Sequence, residues 1–287
     1  MSIYPAASVS SHVKNSASGS LYKIYQTDSY GPASLDCWLA MPENLDPTLP
    51  PLLAIHGVLR DAKGMVNEIA AQLVAGGRMV IAPAFDEPQW HGYQRVIGKR
   101  RADLALLSLL KTIKMGATAD IRSVDLLGYS GGAQFAHRFA LLYPHLIHRL
   151  ALCSSGWYTF PDDAPYPYGL SVPKGGLPGF TNLTRRNIGS FLRLPIDVYV
   201  GERDTEIDPN TRTGKVIDRQ QGRNRMERAK NWVHAINGVA AAYGQQPKVK
   251  LTVLKGCGHD FRACVRQGKL IERFFSGSMG AQVIAET

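Results

Sequence analysis

Short apolar runs alternate with segments of helical periodicity along most of the chain, and this alternation constrains the fold more than any other feature. Residues 51–55 and 79–82 are continuous apolar runs of the kind that are buried on both faces of a parallel sheet. Between them, residues 66–75 have the spacing of an amphipathic helix and end at Gly76-Gly77, a typical stop signal. The pattern predicts βαβ units, and therefore an α/β fold with a mostly parallel central sheet and helices on both faces.

The same alternation continues toward the end of the chain. It predicts further strands at residues 124–127, 150–153, 196–200 and 249–254. It predicts helices at residues 101–115, 133–142, 226–243 and 264–275. Residues 21–27 and 35–41 are predicted to form an opening hairpin with its turn at residues 29–32. A length of 287 residues suits one large domain, so we expect a single domain over residues 1–287.

Residues 156–194 do not fit the alternation. They hold five of the 17 prolines and show little periodicity, and a long irregular insertion in a compact domain is usually functional or disordered. Because the segment directly follows a predicted strand, we expect a lid or a pocket wall. Trp157 and Tyr158 are its first bulky residues, and Trp90 and His91 leave a neighbouring strand in a similar way, so these four are candidate pocket residues.

A G-x-S-x-G motif lies between the predicted strand 124–127 and the predicted helix 133–142, in the sequence Gly128-Tyr129-Ser130-Gly131-Gly132. At a strand-to-helix turn, small residues let the backbone bend sharply enough to expose the serine hydroxyl above the sheet. The helix that begins there presents free N–H groups and the positive end of its dipole to a developing anion. Ser130 is therefore a candidate nucleophile; the alternative is a serine that merely caps the helix.

A serine hydroxyl at its ordinary pKa is a poor nucleophile, so a base must lie within hydrogen-bond reach and be oriented by a carboxylate. His259 lies in a glycine-containing loop after the last predicted strand, and Asp204 follows the strand 196–200 through a glycine turn. The order Ser, Asp, His along the chain is the order in which α/β-hydrolases carry the triad. The acidic residues that compete with Asp204 for this role are Glu202, Glu206 and Asp208.

An acyl-transfer site also needs donors directed at the oxyanion of the tetrahedral intermediate. The N–H group of Gly131, next to the nucleophile, is one candidate. A second is the N–H group of Val58, because the apolar strand that ends at Ile55 runs directly into His56-Gly57-Val58. His56 itself is interpreted as a support of this loop through hydrogen bonds rather than as a base.

These segments together resemble those of the α/β-hydrolase superfamily. The His56-Gly57 turn, the Ser130 elbow, the Asp204 strand end and the His259 loop stand in the family's order and span residues 53–261. Within the superfamily, residues 128–135 and 154–157 are similar to bacterial esterases related to polyhydroxyalkanoate depolymerases and feruloyl esterases.

The resemblance implies a serine hydrolase that cleaves a carboxylic ester or a related acyl bond through an acyl-enzyme. Ser130, Asp204 and His259 would form its catalytic triad, a small-molecule ester would be the substrate, and neither a cofactor nor a metal ion is implied. Two alternatives remain open at this point. The same triad could transfer an acyl group to an acceptor other than water, or the chain could be a non-catalytic ligand-binding member of the fold.

The formal net charge of +10 raises the question of an anionic partner. Residues 212–230 carry much of the excess, as Arg212, Lys215, Arg219, Arg223, Arg225, Arg228 and Lys230. A solvated helix face explains such a run, and an anion-binding role is the alternative. The chain shows no recognisable nucleic-acid motif, so we expect no nucleic-acid partner.

Compartment and redox state follow from two further features. No stretch approaches the roughly 20 apolar residues that cross a bilayer, and residues 1–20 lack a signal pattern, so we expect a soluble, cytoplasmic protein without a membrane partner. The four cysteines lack metal-ligand spacing and are expected to be reduced and packed; they are Cys37, Cys153, Cys257 and Cys264.

Overall fold

The computed structural model describes residues 9–15, 21–27, 35–97, 100–116, 121–172, 178–246 and 248–279. The chain divides into two compact units, residues 1–150 and 151–287. Among the described residues, none of the helices has the length and apolar character needed to traverse a bilayer.

The first unit is built on six strands within its described residues. These are β1 (Val9–Asn15), β2 (Leu21–Thr27), β3 (Asp36–Pro42), β4 (Leu52–Ile55), β5 (Val80–Ala84) and β6 (Val124–Tyr129). Their order in the sheet is β1-β2-β3-β5-β4-β6. The pairs β1–β2, β2–β3 and β3–β5 are antiparallel, whereas β4 pairs in parallel with both β5 and β6. A further strand, β7 (Ile147–Cys153), begins in this unit and ends in the second.

Three α-helices of the described residues accompany this sheet: α1 (Ala62–Leu73), α2 (Ala102–Gly116) and α3 (Gly131–Leu142). Asp61 is the N-cap residue of α1, because its carboxylate accepts a hydrogen bond from the N–H group of Gly64 at 2.8 Å. Every residue of β4, β5 and α3 is buried. Burial of both faces of β4 and β5 is the reason that these strands have continuous apolar sequences.

The second unit contains strands β8 (Ile196–Gly201) and β9 (Lys250–Leu254), which pair in parallel with Gly201 opposite Leu254. Its helices are α4 (Pro178–Phe191), α5 (Lys215–Gln221), α6 (Arg225–Ala242), α7 (Phe261–Arg266) and α8 (Leu270–Met279). Asn224 caps α6 by accepting from the N–H group of Glu227 at 2.9 Å. This unit places the carboxyl ends of β8 and β9 side by side.

Most predicted elements are confirmed to within a few residues. The turn predicted at residues 29–32 lies outside the described residues, although the antiparallel pairing of β2 with β3 that it would connect is confirmed. All four cysteines are free and buried, as expected.

At four places the observed secondary structure goes beyond or corrects the predicted elements. Strand β1 lies in the polar N-terminal segment, where no strand was predicted, and α5 lies within the basic run 212–230, for which no helix bounds were predicted. The segment 156–194 contains α4, because Phe180, Thr184, Ile188 and Phe191 recur at helical spacing and are buried. The closing helix is divided into α7 and α8, since Lys269 adopts a left-handed backbone with φ 52° between them.

Candidate active site

Ser130 lies at the turn between β6 and α3 in a backbone conformation that is strained for a residue with a side chain. Its φ is 52° and its ψ is −114°, whereas L-residues rarely adopt a positive φ, at a cost of the order of 1–3 kcal/mol. The glycines of the motif allow this turn. A Cβ atom on Gly132 would overlap the carbonyl oxygen of Ile55, and one on Gly128 would overlap the backbone of Gly132. The sequence G-x-S-x-G therefore forms a sharp strand-to-helix turn around Ser130.

The two candidate oxyanion donors lie close together in the first unit. A Cβ atom on Gly131 would be 3.3 Å from the backbone nitrogen of Val58. One on Gly57 would be 3.3 Å from the Cβ atom of Ser130. The loop that follows β4 and the start of α3 thus approach each other beside the serine, where two N–H groups can be directed at one oxyanion.

His56 holds this loop in place. The N–H group of Phe85 donates to Nε2 of His56 at 3.0 Å, and Nδ1 of His56 lies 2.8 Å from the carbonyl oxygen of Gly57, to which it donates. The hydroxyl of Tyr93 donates to the carbonyl oxygen of His56 at 2.5 Å. Burial lowers the pKa of His56 to about 4, so the ring is neutral at neutral pH and its hydrogen bonds are compatible with one tautomer.

Arg60 is a further support of this loop that sequence reasoning missed. It has a φ of 61°, and its guanidinium donates to the carbonyl oxygen of Phe85 and, at 2.5 Å, to the carboxylate of Glu87. The loop after β4 is thereby fixed to the segment that follows β5. A single arginine beyond an apolar strand carries no sequence signal for such a role.

The candidate pocket residues Trp90 and His91 have different surroundings. Trp90 is buried, and its ring is edge-on to that of Phe85 with 5.8 Å between the centroids. The guanidinium of Arg100 lies 5.8 Å from the centroid of the Trp90 ring. His91 is exposed, and its Nδ1 atom lies 3.0 Å from the carboxylate of Glu87. Of the two, Trp90 supports the segment from inside and His91 faces solvent.

In the second unit, the ends of β8 and β9 bring Asp204 and His259 together. Nδ1 of His259 lies 2.9 Å from Oδ2 of Asp204, and the side chains are 25% and 1% exposed, respectively. Because a carboxylate only accepts, Nδ1 carries the proton and Nε2 is the basic nitrogen. We call Asp204 and His259 the dyad.

The loops that carry the dyad are tied to each other. The N–H group of Arg203 donates to the carbonyl oxygen of Cys257 at 2.8 Å, and the N–H group of Gly256 donates to the carboxylate of Glu202 at 2.9 Å. Glu202, a competing candidate for the acid, therefore serves as a link between the two loops. Glu206 is exposed to solvent. Neither side chain occupies the place of Asp204 against His259.

Asp208, the remaining competitor, is linked to the dyad by an arginine. Nη2 of Arg225 lies 2.8 Å from Oδ2 of Asp208, and Nη1 lies 3.3 Å from Oδ1 of Asp204. Burial acts to raise the pKa of Asp208, but hydrogen bonds and the charge of Arg225 outweigh it, so that the pKa is lowered. Arg225 thus bridges the two carboxylates.

The expectation that residues 212–230 form a solvated helix face was wrong for two of its arginines. Arg225 and Arg228 are buried, and Arg228 donates to the carbonyl oxygens of Gly156 and Arg212 and to the carboxylate of Asp218. Both lie in register with the buried residues Ala229, Trp232 and Ile236 of α6. This register, visible in the sequence, is the signal that could have identified them.

The first residues of the segment 156–194 are buried as well. The ring of Trp157 packs against that of Tyr168 at 4.9 Å, and the guanidinium of the exposed Arg212 lies 5.8 Å from the centroid of Tyr168. Tyr158 is completely buried and stacks on Trp232 at 4.8 Å. Among the candidates in this segment, Trp157 is the one whose contacts lead through Tyr168 to an exposed side chain.

Within the parts of the chain that the structure describes, no group of three or more His, Cys, Asp or Glu side chains could hold a metal ion. The predicted site residues fall into two sets. Ser130, Gly131 and Val58 come together in the first unit, and Asp204 and His259 in the second.

Comparison with known proteins adds likeness in structure rather than in sequence. No protein-family model and no curated protein sequence matches the chain. Among solved structures, poly(3-hydroxybutyrate) depolymerase LpqC from Bordetella parapertussis is similar with a TM-score of 0.72 and 23% identity, over 94% of this chain and 91% of that one. Poly(aspartic acid) hydrolase-1 from Sphingomonas sp. KT-1 has a TM-score of 0.71 and 19% identity, over 92% and 98%. An S-formylglutathione hydrolase from Agrobacterium tumefaciens has a TM-score of 0.58 and 14% identity, over 93% and 98%.

At these identities the likeness establishes the fold. The parallel strands, the accompanying helices and the agreement with these structures over nine-tenths of the chain define the α/β-hydrolase fold. The fold class expected from the sequence is therefore confirmed. A shared fold does not by itself determine an activity, which has to be argued from the residues of the site.

Proposed function

We propose that this chain, which has the α/β-hydrolase fold, is a serine hydrolase that cleaves a carboxylic ester through an acyl-enzyme. Ser130 would be the nucleophile, His259 the base and Asp204 the acid that orients the base. The observation that carries the proposal is the backbone of Ser130, a non-glycine residue with a φ of 52° at a strand-to-helix turn. Strain of this kind persists where the surrounding structure enforces it, and it presents a serine hydroxyl for attack.

The dyad supports the same conclusion from the second unit. A histidine with Nδ1 bound to a buried carboxylate has Nε2 as its basic nitrogen, and the carboxylate stabilises the imidazolium that forms when Nε2 takes a proton. The chain order Ser, Asp, His matches the order in which this fold carries its triad. The names of the similar structures include a depolymerase and two hydrolases, which supports hydrolysis as the reaction class.

The reaction would proceed in two half-reactions. Oγ of Ser130 attacks the ester carbonyl while Nε2 of His259 takes its proton, and the N–H groups of Gly131 and Val58 donate to the oxyanion. When the tetrahedral intermediate collapses, the carbon–oxygen bond to the alcohol breaks and His259 returns the proton to the leaving alkoxide. Water then attacks the acyl-enzyme with His259 again as base, which releases the acid and restores the hydroxyl of Ser130.

Labelling with a fluorophosphonate probe tests the nucleophile. We expect the adduct on Ser130, and we expect Ser130→Ala to abolish both labelling and the hydrolysis of a simple aryl ester. Ser154 offers a matched control, since it also has a positive φ, of 51°, and is buried after a strand. Ser154→Ala should keep the labelling. An adduct on Ser154 or Ser155, or near-normal turnover by Ser130→Ala, would refute the assignment.

A second candidate substrate is an anionic acyl polymer, which the net charge of +10 favours. One similar structure is named a poly(aspartic acid) hydrolase, and the same triad chemistry can cleave an amide. Arg203, directly before Asp204, is an exposed cation, and so are Arg212 and Arg223 farther along the chain. If the substrate is a polyanion, hydrolysis of poly(aspartic acid) should fall steeply as salt is added while hydrolysis of a neutral ester should not. Equal salt dependence of the two reactions would exclude this candidate.

A further inference from the structure

Beyond the triad, we propose that Arg225 is a positioning residue for the dyad: its buried guanidinium holds the carboxylate of Asp204 for His259 and is itself anchored by Asp208. The proposal rests on the proposed function, because it assigns a role within the same site. Sequence reasoning placed Arg225 on a solvated face, so this role comes from the structure.

The geometry divides the two oxygens of one carboxylate between two partners. Oδ2 of Asp204 faces Nδ1 of His259 at 2.9 Å, and Oδ1 faces Nη1 of Arg225 at 3.3 Å. A planar guanidinium that contacts one oxygen limits rotation of the carboxylate and so fixes the direction of the other oxygen. Arg225 therefore determines how Asp204 presents Oδ2 to the imidazole.

Asp208 fixes the guanidinium in turn. Nη2 of Arg225 is 2.8 Å from Oδ2 of Asp208, while Oδ1 of Asp208 accepts from the N–H group of Asn210 at 2.8 Å. Arg225 comes from the first turn of α6, and Asp204 and Asp208 come from the loop after β8. The arginine thus joins the loop that carries the acid to a helix of the core, and its side chain is 2% exposed.

Other titratable and charged groups also lie near the dyad, and the buried Arg228 interacts with Arg225 while it pairs with Asp218. Cys153 and Tyr158 also face Asp204. A hydrogen bond with Cys264 and burial raise the pKa of Cys153 well above its ordinary value, and burial raises that of Tyr158, so both are neutral. Arg203 and Asp260, the sequence neighbours of Asp204 and His259, are exposed, and water screens them. Arg225 is a buried charge in direct contact with the acid.

This arrangement predicts how the dyad titrates. Removing the positive charge makes the site more negative, so the dyad holds a proton more tightly. The pKa of His259 should therefore rise when Arg225 loses its charge. Removing the negative charge of Asp208 leaves the guanidinium to Asp204 alone, so the pKa of His259 should fall. Loss of either charge shifts this pKa even without positioning, so the rate of Arg225→Lys, which keeps the charge and loses the planar fork, separates the two roles.

The experiment is an NMR titration of the His259 ring nitrogens in the full-length protein, assigned with His259→Gln. In Arg225→Met the pKa of His259 should rise by about one pH unit, as expected for a charge one group away. In Asp208→Asn it should fall by roughly half a unit. Arg225→Lys should restore the pKa to within a few tenths, because the charge is kept, but it should not restore the rate fully, because Lys lacks the fork that reaches two carboxylates.

Kinetics give a second readout that a structural role would not produce. Because Arg225 is buried and would not touch substrate, Arg225→Met should lower kcat by a factor on the order of 10 to 100, while KM stays within about twofold. The acid limb of the rate profile should move upward with the titration. Arg228→Met is the matched control, since Arg228 is buried in the same helix but pairs with Asp218; it should lower stability without moving the pKa of His259.

Each outcome is decisive. The proposal is overturned if the pKa of His259 is unchanged in both Arg225→Met and Asp208→Asn. It is also overturned if the pKa of His259 rises in Asp208→Asn. If Arg225→Met does not fold, Asp208→Asn alone decides, because Asp208 is a partly exposed loop residue. Failure of the proposed function would appear differently, as a wild-type protein without acyl hydrolysis, and the titration needs no substrate.

Discussion

Gly201→Ala is the substitution for which the structure gives the sharpest expectation. Gly201 ends β8 at the point where the loop that carries Asp204 meets the loop that carries His259. A Cβ atom built on Gly201 would lie 2.5 Å from the carbonyl oxygen of Cys257 and 2.8 Å from that of Gly258. Both are backbone atoms, so relief requires a movement of the histidine loop itself.

The size of the effect follows from these distances. The optimal separation of non-bonded heavy atoms is about 3.5 Å, so the loop that carries His259 has to move by roughly 1 Å. Inserting a methyl group into such a site typically costs about 1–3 kcal/mol, which corresponds to a Tm lower by roughly 2–4 °C per kcal/mol in a protein of this size. A displacement of about 1 Å in a catalytic group costs on the order of 100-fold in rate. We therefore expect both a lower Tm and a value of kcat/KM reduced by about that factor.

The histidine loop contains its own control. A Cβ atom on Gly258, the neighbour of His259, would meet no atom within 4 Å. Gly258→Ala should therefore leave the free energy of unfolding within about 0.5 kcal/mol of the wild type. Thermal unfolding and aryl-ester kinetics of the two variants are to be measured side by side. If Gly201→Ala matches Gly258→Ala in both Tm and kcat/KM, close approach at the end of β8 does not position the dyad and the reasoning is wrong.

Three further predictions concern the triad, acid stability and the pocket. His259→Ala and the double variant His259→Ala/Asp204→Ala should have almost equally low kcat values, because losses within a triad are not additive. If the loss in the double variant is instead the product of the two single losses, Asp204 does not act together with His259. The pKa of His56 is lowered to about 4 by burial, so between pH 6.5 and 4 the unfolded chain binds a proton that the folded chain does not. The free energy of unfolding should therefore decrease as the pH is lowered through that window, by up to about 1.4 kcal/mol per pH unit. His56→Gln should flatten this part of the plot of unfolding free energy, measured in urea, against pH; an unchanged slope would contradict the burial of a neutral His56. Trp157→Ala should reduce kcat/KM for octanoate esters more than for acetate esters, since each buried methylene is worth about 0.8 kcal/mol; an unchanged ratio with a lower Tm would make Trp157 a core residue.

The elbow and the loop after β4 could be predicted from the sequence because their constraints are local. The glycines around Ser130 are required by atoms within a few residues or on the adjacent strand, such as the carbonyl oxygen of Ile55 beside Gly132. Strand ends could be predicted in the same way, since the runs that became β4 and β8 are apolar and bounded by turns. Positions that depend on one element and its immediate neighbours are recoverable from composition and spacing.

Other features depend on contacts between distant parts of the chain and could not be predicted. Strand β1 forms because its backbone pairs with β2 over seven residues, although its own sequence is polar. The register of the loop that carries Asp204 against the loop that carries His259 depends on hydrogen bonds between them, from the N–H group of Arg203 to Cys257 and from that of Gly256 to Glu202. Position after β8 favoured Asp204 without excluding Glu202 or Asp208, because all three follow β8 within eight residues; the contact with His259 depends on a second loop that is distant in sequence.

Burial of a charge does not by itself identify a positioning residue, and a comparison within the chain makes this clear. Arg138 is as deeply buried as Arg225, yet its guanidinium donates to the carbonyl oxygens of Gln94 and Gln134. Carbonyl oxygens do not titrate, so those hydrogen bonds stabilise the packing of α3 in the same way at every pH. Arg225 instead contacts two carboxylates, one of which bonds to His259. Its charge therefore acts on the proton affinity of the imidazole, and substitution of Arg138 should change stability while leaving the titration of His259 where it is.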